Sequence, residues 1–167
     1  MQPKTPYVSN KDGLDKAYEN KNTYQNGSTL FVAGTLNKKD YWDDITKIPF
    51  NTVDKSNRYE DANKVIEDNI IQGHPITKLI GHSLGGAVSL KLVEKYPNYP
   101  MVATTYGAPF KTKAGELFSS TIAGTRYRHS YDPVSVLDKA SKTIAIQDPS
   151  VTNPHTYSGY GGLDDNE

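Results

Sequence analysis

The chain has 167 residues, most simply one domain, and at this length roughly 68–70% of the unfolded surface can be buried on folding. It carries 19 basic and 19 acidic residues, and this zero net charge argues against nucleic acid as its main partner. Without cysteine, it has neither a disulfide framework nor a thiolate zinc site. No apolar run approaches the ~18–20 residues that span a bilayer, and the first ten residues lack the apolar core of a signal peptide. We therefore expect a soluble protein, and its compartment is left open.

The first part of the chain contains one clear strand. Residues 1–28 are polar, and we expect an irregular, peripheral N-terminal segment there. Asn26-Gly27 predicts a tight turn into residues 29–33, whose nearly continuous apolar run is typical of a strand buried on both faces. That run ends at Gly34-Thr35, which is compatible with an ordinary turn or with a backbone N–H and a hydroxyl presented to a ligand.

The middle of the chain alternates helical and strand patterns. Residues 57–72 predict a helix that ends at Gly73. Its apolar side chains recur at helical spacing and are expected to be buried: Tyr59, Ala62, Ile66 and Ile70. The acidic residues Asp61, Glu67 and Asp68 lie off this apolar stripe, on a face expected to be exposed to solvent. Residues 101–106 predict a parallel strand, and residues 126–131 predict another that ends before Asp132-Pro133. No linker divides the chain, so we expect one domain over residues 1–167, with a flexible tail at 158–167.

Between these elements lies Gly81-His82-Ser83-Leu84-Gly85, a match to G-x-S-x-G. The apolar residues before it are typical of a buried strand. Those after it recur at helical spacing, at Leu84, Val88, Leu92 and Tyr96, before Pro97. A strand that turns sharply into a helix with serine at the apex is the nucleophile elbow of α/β hydrolases. The alternative is a glycine-rich turn in an ordinary α/β unit.

A serine nucleophile needs a base and a group that orients the base. Among four histidines, His74 precedes the elbow strand, at the wrong end of the sheet, and His82 adjoins the serine and is expected to pack beside the site. His129 lies within a predicted strand, whereas His155 follows in a turn-rich loop. The order Ser83, Asp132, His155 matches the order of this fold, so we predict these three as nucleophile, acid and base. The alternative acids are Asp138, Asp148, Asp164 and Asp165.

An α/β hydrolase also binds the oxyanion of the tetrahedral intermediate with two backbone N–H groups. One belongs to the residue after the nucleophile and the other to an early strand-end loop. We therefore predict Leu84 and Thr35 as the oxyanion residues.

Four blocks between about residues 30 and 157 resemble the class 3 lipase family, which includes the fungal triacylglycerol lipases. The blocks are FVAGT at 31–35 with the DYWDD and IPF segments that follow, GHSLGG at 81–86, YGAP at 106–109, and DPV at 132–134 with HTY at 155–157. The resemblance implies a shortened member of the family in which Ser83, Asp132 and His155 form the triad and Thr35 is an oxyanion residue.

Together these patterns predict a minimal α/β-hydrolase fold with a mostly parallel central sheet flanked by helices. The expected function is hydrolysis of carboxylic, lipid-type esters through an acyl-enzyme, without a cofactor or metal. The expected partners are an ester or lipid substrate and, transiently, a membrane surface; the oligomeric state is not readable. The segment after Thr35 is short and mostly charged, which favours compact esters or phospholipid chains. The alternatives are a non-catalytic structural or binding descendant of a lipase, and an acyltransferase or thioesterase.

Overall fold

The computed structural model describes residues 5–20, 22–34, 56–107, 123–129 and 143–146. Within these ranges the helices are α1 (Asn10–Glu19), α2 (Asn57–Ile71) and α3 (Leu84–Lys95). The strands are β1 (Thr23–Asn26), β2 (Thr29–Val32), β3 (Lys78–His82), β4 (Val102–Tyr106), β5 (Gly124–His129) and β6 (Thr143–Ile146). Among the described helices, none is long and apolar enough to cross a bilayer.

The strands form one six-stranded sheet in the order β1-β2-β3-β4-β5-β6. Only β1 and β2 pair antiparallel; the other four pairings are parallel. The expectation of a mostly parallel sheet is therefore confirmed. Because parallel strands share one direction, the carboxyl ends of β2, β3 and β4 meet at the same edge of the sheet. Gly34, Ser83 and Gly107 all lie just beyond those ends.

The predicted tight turn is present as a β-hairpin. Asn26 pairs with Thr29 across the loop Gly27-Ser28, and Gly27 has a φ of 61°. A positive φ at the first loop residue is typical of the primed turns that match the twist of a hairpin, and glycine adopts it without steric cost. The strand that follows is buried as predicted, with Leu30, Phe31 and Val32 all inaccessible to solvent.

The prediction of an irregular N-terminal segment is wrong for α1 and β1. The Ser9 hydroxyl accepts a hydrogen bond from the Asp12 N–H at 3.1 Å and so caps the N-terminus of α1. Leu14 and Ala17 lie on the buried face of the helix. At Gly13 a Cβ atom would overlap the ring of Phe31, so the backbone of α1 packs directly against this ring.

Side chains of a strand alternate between the two faces of a sheet, and here each face has its own core. On one face α1 packs over a cluster of buried residues: Leu14, Ala17, Phe31, Ala33, Ile80, Tyr106 and Tyr127. On the other face α2 and α3 cover a larger cluster that includes Leu30, Val32, Ala62, Ile66, Leu79, Val88, Leu90 and Leu92. Helix α2 agrees with its predicted stripe and ends before Gly73, and its three off-stripe acidic residues are exposed.

Candidate active site

Ser83 is the single residue between the end of β3 and the start of α3. Its φ of 56° and ψ of −126° lie in a region that favours glycine, and it is the one non-glycine residue with positive φ among those described. Such a backbone conformation costs on the order of 1–3 kcal/mol and persists only where the surroundings enforce it. The predicted strand, sharp turn and helix are therefore confirmed, with Ser83 at the apex.

Backbone hydrogen bonds enforce this conformation from both sides. The Ser83 N–H donates to the Tyr106 carbonyl at 2.9 Å, which ties the apex to the end of β4. The Ser83 carbonyl accepts from the N–H groups of Gly86 at 2.9 Å and Ala87 at 3.3 Å, which starts the helix. Within the described residues the Ser83 side chain makes no capping bond to α3, and it is fully buried. Backbone bonds alone therefore start α3 here.

The glycines of the motif are required by close backbone contact. A Cβ atom on Gly81 would lie 2.5 Å from the carbonyl carbon of Gly85. On Gly85 it would lie 2.7 Å from both the carbonyl carbon of Val32 and the carbonyl oxygen of Ala33. Each of these contacts is too short for a real Cβ, so the first turn of α3 packs directly on the backbones of β2 and β3.

The end of β2 passes beside the apex. A Cβ atom on Gly34 would lie 2.8 Å from the Cβ of Ser83 and 2.9 Å from the carbonyl oxygen of His82. Leu84 is the first residue of α3, so its N–H lacks an intrahelical acceptor and points out of the positive end of the helix. Backbone from two elements therefore flanks Ser83.

His82 packs beside the apex, as predicted, and a tyrosine of α1 contacts it. The Nδ1 atom of His82 lies 2.6 Å from the Tyr18 hydroxyl, and the two ring centroids are 6.0 Å apart. Burial raises the pKa of Tyr18 to about 12, although the Gly34 N–H and the Arg58 charge partly oppose this effect. Tyr18 is therefore protonated at neutral pH.

A second polar contact of α1 supports the strand that holds the apex. The Asn10 side-chain amide donates to the Tyr106 hydroxyl at 2.9 Å, and the Tyr106 ring stacks on Tyr127 at 5.4 Å with an interplanar angle of 13°. Neither Asn10 nor Tyr18 was expected at the site from the sequence. The signal for them was the capped start of α1, followed by Leu14, Ala17 and Tyr18 at helical spacing.

Of the predicted site residues, Ser83 and Leu84 are described. Thr35, Asp132 and His155 lie outside the described residues, as do the alternative acids Asp138, Asp148, Asp164 and Asp165. His74 is exposed and precedes β3, at the end of the sheet opposite Ser83, in agreement with the prediction. The backbone of His129 ends β5, where it pairs with Ile146 of β6.

No protein-family model and no curated protein matches this chain. Solved structures that are similar to it include two lipases. The Lip2 lipase from Yarrowia lipolytica has a TM-score of 0.52 and 18% sequence identity, over 77% of this chain and 60% of that one. A triacylglycerol lipase from Penicillium expansum has a TM-score of 0.47 and 19% identity, over 81% of this chain and 62% of that one. The chain thus spans about three-fifths of the length of these lipases.

At such low identity the similarity to Lip2 bears on the fold alone. It agrees with the parallel strands β2–β6 and with the helices on both faces of the sheet. The predicted fold class is therefore confirmed. The chain has a lipase-like α/β-hydrolase fold.

Proposed function

We propose that the protein is a serine hydrolase that cleaves carboxylic esters of the lipid type, with Ser83 as the nucleophile. The observation that carries this proposal is the strained backbone of Ser83, at a φ of 56° between two glycines that allow close packing. A turn with a purely structural role would be less strained with glycine at this position. A strained serine at this position is expected where its hydroxyl group is the reacting group at the apex of the turn.

In the proposed reaction the Ser83 Oγ attacks the ester carbonyl carbon while His155 takes the hydroxyl proton. The tetrahedral intermediate collapses, the carbon–oxygen bond to the alcohol breaks, and His155 returns the proton to the leaving alcohol. Water then attacks the acyl-enzyme, His155 accepts its proton, and the acid leaves as Ser83 is reprotonated. Asp132 orients His155 and stabilises its charged form. The roles of Asp132 and His155 come from their order in the chain and from the resemblance.

The proposed oxyanion donors are the backbone N–H groups of Leu84 and Thr35. Leu84 begins α3, where the helix dipole favours negative charge. Thr35 directly follows Gly34, whose backbone lies against Ser83. Loss of one such donor typically lowers turnover by roughly 10²–10³-fold.

The substrate class rests on analogy, because fold and nucleophile specify acyl transfer without specifying the acyl chain. The similar structure from Yarrowia lipolytica is a lipase. In this chain the segment after Thr35, LNKKDYWDD, is mostly charged. We therefore propose compact esters, or lipid chains reached by transient contact with a membrane surface, as substrates.

The experiment is hydrolysis of p-nitrophenyl esters with acyl chains from C2 to C16. Wild type should hydrolyse the shorter esters, and Ser83→Ala should lower turnover by a factor on the order of 10⁶. Ser28→Ala is the matched control, because Ser28 is exposed in the β1–β2 turn at the opposite end of the sheet. Equal activity of wild type and Ser83→Ala on every ester would contradict the proposal. Acyl transfer to an added alcohol in preference to water would instead identify an acyltransferase.

A further inference from the structure

The Tyr18 hydroxyl lies where the two backbone segments beside Ser83 come together. It is 2.6 Å from Nδ1 of His82, the residue before Ser83. It is also 2.9 Å from the position that a Cβ atom would occupy on Gly34, the residue before Thr35. One side chain from α1 thus contacts both the end of β3 and the end of β2.

The donor and acceptor of each hydrogen bond can be assigned from the N–H and O–H groups present. The Gly34 N–H donates toward the Tyr18 oxygen, and this interaction opposes the rise in the tyrosine pKa. A protonated phenol has one hydrogen to donate, and Nδ1 of His82 is the acceptor beside it. With the Gly34 N–H donating to the phenol oxygen, we assign the Tyr18 O–H as the donor and Nδ1 as the acceptor, which places the proton of a neutral His82 on Nε2.

We propose that Tyr18 is a positioning residue, which fixes the backbone of Gly34 relative to the elbow and thereby holds Ser83 and the neighbouring N–H of Leu84, a proposed oxyanion donor, in place. This proposal rests on the proposed function. The hydroxyl does not act on the substrate; it acts through Gly34 and His82, each of which directly precedes a residue of the proposed site.

Helix α1 is held firmly enough to serve as a fixed support. Leu14 and Ala17 are fully buried, and Gly13 brings the helix into contact with Phe31. Asn10 adds the hydrogen bond to Tyr106, whose carbonyl accepts from the Ser83 N–H. Displacements of about 1 Å in a catalytic arrangement can cost 10²-fold in rate, so a support of this kind affects turnover.

The test compares Tyr18→Phe with Tyr24→Phe. Both tyrosines pack on the α1 face, but Tyr24 lies on the edge strand β1, where its ring is tilted against that of Phe31 with the centroids 6.0 Å apart. We expect Tyr18→Phe to lower kcat about tenfold and to change KM by less than about twofold, because Tyr18 positions groups that act in the transition state. Tyr24→Phe should keep the kcat of wild type.

A spectroscopic measurement tests the same contact independently of activity. In wild type, the imidazole ¹⁵N shifts of His82 should show an unprotonated, hydrogen-bonded Nδ1 and a protonated Nε2. In Tyr18→Phe the Nδ1 shift should move, while Tyr24→Phe leaves it unchanged. A purely structural role for Tyr18 would lower Tm without changing kcat well below Tm.

The outcomes separate the two proposals. Wild-type kcat in Tyr18→Phe, together with an inactive Ser83→Ala, would overturn the positioning role and leave the proposed function standing. Unchanged His82 shifts in Tyr18→Phe would overturn the hydrogen bond on which the role depends. If wild type hydrolyses no ester and its Ser83 is not labelled by a fluorophosphonate, the proposed function fails, and the positioning role fails with it.

Discussion

Gly85 lies where the first turn of α3 crosses β2, and replacing it with alanine tests this close packing. An added Cβ would lie 2.7 Å from the Val32 carbonyl carbon and from the Ala33 carbonyl oxygen. Val32 is the last residue of β2, which is paired on one side with β1 and on the other with β3, and Ala33 directly follows it. Neither β2 nor the start of α3 can move without breaking hydrogen bonds, so we expect Gly85→Ala to be destabilising.

The magnitude follows from two opposing terms. Glycine to alanine inside a helix is favourable by ~0.8–1 kcal/mol where space is available. Overpacking costs ~1–3 kcal/mol, and contact with a fixed backbone corresponds to the upper end of that range. The net loss in the free energy of unfolding is therefore about 2 kcal/mol. At ~2–4 °C per kcal/mol for a domain of this size, Tm should fall by about 4–8 °C.

Urea unfolding followed by far-UV circular dichroism measures this loss, and Gly13→Ala is its matched control. Gly13 is also a buried helix glycine, but its added Cβ would meet the ring of Phe31. A side chain can shift more cheaply than a strand, so Gly13→Ala should cost ~1 kcal/mol or less. A Gly85→Ala protein as stable as wild type, or less affected than Gly13→Ala, would refute this account of the elbow packing.

Three further perturbations test other parts of the structure. Ile66 is 1% exposed, so Ile66→Ala should lower the free energy of unfolding by ~2–5 kcal/mol in urea unfolding. The control is Ile71→Ala in the same helix, which should stay within about 0.5 kcal/mol of wild type because Ile71 is 82% exposed. Ser83→Gly should be more stable than Ser83→Ala by ~1 kcal/mol or more, since glycine relieves the positive φ that alanine retains; equal stability in thermal unfolding would argue against strain at the apex. Because burial raises the pKa of Tyr18 to about 12, the folded protein keeps a proton that the unfolded chain releases above about pH 10. Wild type should therefore lose stability relative to Tyr18→Phe as pH rises from about 10 toward 12, and a constant difference across that interval would contradict the shift.

Several elements could be predicted from the sequence because local signals and burial agree there. The continuous apolar run of β2 and the stripe of α2 each give an unambiguous pattern. At the elbow, glycines flank a serine between a strand pattern and a helix pattern, so the local residue types and the order of the elements both predict a sharp turn from strand to helix. Even the strain at Ser83 follows from the motif.

Helix α1 could not be predicted with equal ease, because its stability comes from distant parts of the chain. It contains a glycine and only two fully buried apolar side chains, Leu14 and Ala17. Gly13 lowers helix propensity, and its benefit is apparent only once Phe31 packs against it. The contact of Tyr18 with His82 joins residues 64 positions apart, a separation that no local periodicity reports.

The roles of Thr35, Asp132 and His155 stay predictions, because all three lie outside the described residues. The described residues do show the surroundings of Ser83 and of Gly34, the residue before Thr35. Ser83 is at the apex of a sharp turn, and the backbone of Gly34 lies close to Ser83.

The most direct test of the central claim is labelling with a fluorophosphonate, followed by mass spectrometry of the modified peptide. We predict one adduct, on Ser83, in wild type and in Ser28→Ala, and none in Ser83→Ala. His155→Ala should label far more slowly, because the hydroxyl loses the base that activates it. An adduct at another serine, or no adduct on folded wild-type protein, would contradict Ser83 as the nucleophile.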